Sequence, residues 1–130
     1  MNRKIDTPAD VENFRKNRDE FSRLAQEHME VDDEMETIYH VMSGENPVLR
    51  RTLNDTFDEF QNQNTGISET QIGALLKDLQ TQSDGKIKYN QATIERIYRN
   101  LEKMRQLEEK IEEVQKRMAD YLMRIKKEVD

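Results

Sequence analysis

The residue types that most often do chemistry are sparse in this chain. It has two histidines, His28 and His40, and no cysteine. Asp32, Glu36 and His40 recur every four residues, which sets two carboxylates and an imidazole on one face of a helix. Such a row can touch a metal ion, but a di-metal bundle needs several Glu residues and two Glu-x-x-His pairs on facing helices. Ala25 and Thr37 stand where those Glu residues would be, so no metal and no other cofactor is expected. Nucleophilic catalysis has no support, with neither a cysteine thiol nor a G-x-S-x-G elbow. Gly44, Gly66, Gly73 and Gly85 are too scattered to cradle a phosphate. Ser83-Asp84-Gly85 matches a fragment of a calcium loop without the acidic spacing or the closing Glu. Carboxylates are plentiful, yet a glycosidase needs a cleft to hold two of them across a sugar. The expectation is a protein that is not an enzyme.

The elements that carry these residues read as helices. Of 130 residues, 37% are charged and 34% hydrophobic, and the length suits one domain spanning 1–130. No apolar run approaches the roughly 20 residues of a membrane span, and the first residues lack the apolar stretch of a signal peptide. A cysteine-free chain fits a reducing compartment, so a cytoplasmic location is expected. Thr7 as N-cap, Pro8 at the first helical position and Asp10 in the first turn begin a helix over about 8–42. Within it Phe14, Phe21, His28, Met35 and Met42 repeat every seven residues. Asn17, Leu24, Val31 and Ile38 form the row three residues on. These are the a and d rows of a heptad. His28 then reads as a seam residue with its ring edge at water. Asn17 reads either as a polar helix-end position or as a device that sets register.

Gly44 and Pro47 stop this helix. A short helix over about 47–62 follows, capped by Asn46. A second short helix over about 68–83 begins at a capping box of Ser68 and Gln71, with Ile67 and Ile72 as its hydrophobic staple. Gly73 inside it costs about 1 kcal/mol against Ala. Ile87 to Tyr89 is expected to be briefly extended. The last helix runs over about 90–128. Ile97, Met104, Ile111, Met118 and Ile125 form its a row, and Leu107, Val114 and Tyr121 its companion row, with Ile94 and Leu101 upstream.

The fold expected is all-α: two long helices in an antiparallel coiled-coil-like hairpin, with two short helices between them. In that register Phe14 meets Tyr121, Leu24 lies near Ile111 and Ile38 near Ile97. Charge agrees with it. The acidic stretch from Glu27 to Glu36 falls against Arg96, Arg99, Lys103 and Arg105, and Asp10 and Glu12 approach Arg124, Lys126 and Lys127. Each exposed pair is worth only ~0.2–1 kcal/mol. The net charge of −6 makes a nucleic-acid backbone a poor partner.

This plan resembles the small helical proteins of bacterial type VII secretion systems, the WXG100-like family and the helical accessory partners of LXG-domain effectors. The bend Ser43-Gly44-Glu45 keeps the Gly of the family's Trp-x-Gly turn without its Trp. Tyr98 and Glu102 match the spacing of the family's Tyr-x-x-x-Asp/Glu export motif, early in the last helix instead of after it. The two short middle helices are additional. The resemblance implies an accessory, targeting or chaperone-like factor that bundles with an effector's helical domain and can be co-exported with it.

The residues expected to serve such a partner are the seam and its edges: Phe14, Phe21, Leu24, Val31, Met35, Ile38, Met104, Ile111, Val114, Met118, Tyr121 and Ile125. Ile5, Val11, Val41, Val48, Ile94 and Leu122 lie off the strict seam and can meet a third or fourth helix. Flexible Met side chains suit a partner surface as well as a seam. The rival readings are a self-assembling coiled-coil scaffold or phage structural protein and, behind that, a helical metal-binding protein.

Overall fold

Four helices follow one another: α1 (Pro8–Met42), α2 (Pro47–Gln63), α3 (Glu69–Gln82) and α4 (Gln91–Val129). The computed structural model describes residues 8–64 and 66–129, and the side chains at 8, 125 and 127–129 lie outside that description. The expectations placed on Ile5, Thr7, Lys127 and the Ile125 side chain therefore fall outside the described residues. Among those residues there is no strand, and the fold is all-α. Ile87–Tyr89 forms no ladder. Its backbone is tied instead by Lys88 N–H donating to the Met42 carbonyl at 2.9 Å and by Gln80 Nε2 donating to the Ile87 carbonyl at 3.1 Å.

Local chemistry explains each boundary. Asn46 Oδ1 accepts from the N–H groups of Val48 and Leu49 at 3.0 and 3.2 Å, and Pro47 follows at N1. The Ser68–Gln71 capping box is complete, with both reciprocal bonds made at 2.9 and 3.2 Å. Asn90 and Thr93 cap α4 in the same reciprocal way, at 2.9 and 3.3 Å. The exits of α1 and α3 use one device twice. Glu45 N–H reaches the His40 carbonyl and Gly44 N–H that of Val41. Gly85 N–H reaches Gln80 and Asp84 N–H reaches Thr81. These are Schellman pairings, and they need a left-handed residue just past the helix. Gly44 supplies it at φ 60° without steric cost, whereas Asp84 does so at φ 55°.

The chain divides into two compact units, Met1–Met29 with Arg105–Asp130, and Glu30–Met104. The second unit holds α2, α3 and the adjoining parts of α1 and α4, and most of the buried apolar side chains. Phe57, Leu53, Ile72, Leu76, Ile87 and Ile97 are at most 1% exposed. The Tyr39 and Phe57 rings stack at 5.6 Å, which packs α1 on α2. Gly73 faces α4, where an added methyl would rest 3.5 Å from Ile94 Cδ1. The described residues of the first unit belong to α1 and α4. Its buried apolar residues, among those described, are Leu24, Leu107 and Val114, against fifteen in the second unit.

Candidate partner-binding surfaces

In the first unit, pairs of described side chains connect α1 to α4. Asp10 Oδ1 meets Arg124 Nη2 at 2.7 Å, and the Phe14 and Tyr121 ring centroids lie 5.0 Å apart. Glu20 Oε2 meets Arg117 Nη1 at 3.4 Å, and His28 Nε2 lies 3.1 Å from Glu108 Oε1. As the α1 number rises, its α4 partner's number falls. Arg124 also lies 5.3 Å over the Tyr121 ring, a cation–π contact that steadies this end. The Arg117 guanidinium is shared with Glu113 at 2.9 Å, and that bond comes first among the causes that raise its pKa.

The seam residues divide by burial. Phe14, Phe21, Ile111, Met118 and Tyr121 are only half-buried, although they occupy a and d positions. Two helices cover each other on one side, so residues at the edge of the shared stripe keep part of their surface in water. Leu24, Val31, Met35, Ile38, Met104 and Val114 are instead buried inside the chain, from 1 to 8% exposed. Their apolar atoms already have neighbours of this chain, so they reach a partner only if the helices separate. Exposed apolar side chains lie off the seam: Val11, Met29, Leu122 and Met123 in the first unit, Val41 and Val48 in the second. Ile94, expected among these, is buried at 9% because it packs toward Gly73.

Among the described residues, the second unit carries an acidic concavity and, apart from it, a cleft with basic residues at its rim. The first, of about 340 Å³, is lined by Asp32, Asp33, Glu36 and Asp58 around Tyr39. Burial, followed by the carboxylates of Asp58 and Asp32, pushes the Tyr39 phenol upward. Partial burial and the neighbouring Asp55 and Asp32 hold the Asp58 carboxyl above its ordinary value. His40 lies 3.8 Å from Glu45. No group of three or more metal-ligating side chains occurs among the described residues.

The other concavity is a cleft of about 280 Å³ between α1 and the start of α4. Ile38, Met42 and Tyr89 line it with the exposed Val41, and Lys88 and Arg96 stand at its rim. Arg96 also lines an adjoining notch of about 430 Å³, with Glu34, Arg99 and Asn100. Glu34 Oε1 receives Arg96 Nη2 at 3.1 Å, as the charge pattern predicts. Asn100 is 8% exposed, and its Nδ2 has no hydrogen-bond partner. Asn100 stands seven before Leu107 in the companion row of α4, but a polar residue carries no apolar signal that would place it there from sequence. Asn17, the matching polar position of α1, is half-buried in the first unit and borders an open concavity with Tyr121 and Arg124.

Tyr98 and Glu102 are one turn apart on α4, both half-buried in the second unit. No described helix is long and apolar enough to cross a membrane. Neither a family model, nor a curated protein, nor a solved structure matches the chain.

Proposed function

We propose that the chain is a non-enzymatic, partner-binding helical protein. In this reading α1 and α4 pair as an antiparallel coiled-coil-like hairpin, with α2 and α3 between them in sequence. Support comes from the opposed numbering of the pairs Asp10–Arg124, Phe14–Tyr121, Glu20–Arg117 and His28–Glu108. The observation that carries the functional reading is the uneven core. Among its described residues the first unit has three buried apolar side chains for two multi-turn helix segments, and leaves Phe21, Ile111 and Met118 half-covered. Helices in water draw most of their stability from packing an apolar face. A further helix laid on that stripe buries the remaining surface at about 25 cal/mol per Å². This is helix-in-groove recognition, read through anchors at i, i+3 and i+7.

The partner proposed is a second helical chain such as the N-terminal domain of an LXG-type type VII effector, with this chain as its accessory, targeting or chaperone-like factor. On that reading the chain resides in the cytoplasm and leaves it only together with its partner, and Tyr98 and Glu102 belong to the export signal. The test is size-exclusion chromatography with light scattering, on the chain alone and mixed with such an effector domain. A one-to-one complex, with slowed amide exchange in the first unit, is expected. A stable homodimer that ignores the effector domain would transfer the reading to a self-assembling scaffold.

A further inference from the structure

The cleft and notch of the second unit have no part in the surface just proposed. They share Arg96, so an apolar hollow and a cationic notch adjoin on one face of α1 and α4. Three observations bear on what would fill them. First, Val41 is 71% exposed beside the cleft, while Ile38 and Met42 beneath it are at most 4% exposed. The hollow therefore has a firm apolar floor with an uncovered apolar edge. Second, the notch reverses the sign of the whole chain. The net charge is −6, yet Arg96 and Arg99 line the notch against the single carboxylate of Glu34. That carboxylate is engaged by Arg96 at 3.1 Å, while Arg99 makes no ion pair or hydrogen bond among the described residues. Third, Asn100 borders the notch with a buried amide nitrogen that has no acceptor. A buried donor left unmatched is costly, and such groups are rare in folded proteins. The torsion that swings a carboxamide is soft, so a small rotation lets Nδ2 serve an acceptor that enters the notch.

One amphipathic partner meets all three deficits. We infer that this face docks an amphipathic helix that places an apolar side chain in the cleft and an Asp or Glu carboxylate, about one turn away, in the notch. The carboxylate accepts from Arg99 and from Asn100 Nδ2. An aliphatic or aromatic side chain covers Ile38, Val41 and Met42. Neighbouring side chains one helical turn apart stand ~5–6 Å from each other, which suits two adjoining hollows that share a residue. A cationic partner is disfavoured, because it brings like charge to Arg99 and leaves Asn100 unmatched.

The experiment uses the full chain and two synthetic, fluorescein-labelled peptides of helical propensity. Both carry a Leu stripe, flanked by Glu in one and by Lys in the other. Anisotropy titrations at low and high salt are expected to show the Glu peptide binding at least tenfold tighter, with the advantage shrinking as salt rises. Arg99→Glu and Val41→Glu, both at exposed positions, should each weaken that binding about tenfold. Asn100→Leu should weaken it while the chain stays folded by circular dichroism. Arg50→Glu, on the exposed surface of α2, serves as a control and should change nothing. Equal affinity for the two peptides, no binding of either, or insensitivity to Arg99→Glu and Val41→Glu overturns the inference. Those outcomes leave the effector-domain experiment untouched, because that one reads the first unit. Failure of the effector domain to bind leaves the peptide titrations intact.

Discussion

Asn100→Leu should make the protein more stable, an uncommon result for a change at a buried position. Asn100 is 8% exposed, and its Nδ2 has no acceptor. Keeping such a donor from water without a partner costs about 1–3 kcal/mol. Leu removes that cost and adds apolar contact in a row otherwise made of Leu107, Val114 and Tyr121. The opposing effect is crowding, since extra volume in a tight core costs about 1–3 kcal/mol. Here the position borders an open notch of about 430 Å³, so a branched side chain has room to settle. The net gain should be about 1–2 kcal/mol. For a unit the size of Glu30–Met104, each kcal/mol raises the melting temperature by roughly 4–8 °C if the unit unfolds by itself. Urea titration followed by circular dichroism should show a higher midpoint with an unchanged slope. Asn100→Ala is the companion variant: it removes the same donor but leaves a void, and should gain less than Leu. If Asn100→Leu is no more stable than the parent, the donor is already satisfied, and the reasoning about it fails.

Three further outcomes follow from the packing and electrostatics of the second unit. Phe57→Ala removes a ring that is 1% exposed and stacked on Tyr39. It should cost about 3–5 kcal/mol, enough to abolish a cooperative thermal transition in that unit. Gly73→Ala should stabilise by about 1 kcal/mol in the same urea assay, because the residue is mid-helix and its new methyl meets Ile94 at an ordinary 3.5 Å. Asp58→Asn should stabilise at neutral pH. The folded state holds the Asp58 proton more tightly than the unfolded chain, so ionisation costs stability above the raised folded pKa. That cost vanishes below the ordinary value of 3.8, where both states are protonated. The gain of Asn over Asp should therefore shrink as urea midpoints are compared from pH 7 down to pH 3. A gain that grows on acidification would contradict the assigned direction.

Much of the helical plan was legible because its signals are local. The span of α1, 8–42, agrees with the observed Pro8–Met42, and the other three helices begin and end within one residue of expectation. Pro at N1, Asn and Ser caps, a complete capping box and Gly44 past the end of α1 each act through hydrogen bonds a few residues long. The pairing of Phe14 with Tyr121 was likewise readable, because a heptad leaves few registers that match both apolar rows and charge. Less of the surface was legible: of the twelve seam and edge residues expected to serve a partner, Leu24, Val31, Met35, Ile38, Met104 and Val114 are buried within the chain.

The sequence alone therefore determined where helices start and stop and which stripe of each is apolar, since both depend on neighbours within one or two turns. Tertiary structure decided how much of each stripe is covered. α2 and α3 supply side chains that fill the core of Glu30–Met104, while the described residues of the first unit belong to two helix segments. The same heptad position thus ends buried at Met35 and half-exposed at Phe21. Tertiary structure also turned Asn100 from one more polar residue in a charged helix into a buried donor beside a cationic notch. Burial depends on the number of elements that converge on a position, and that number is set by residues far away in the chain.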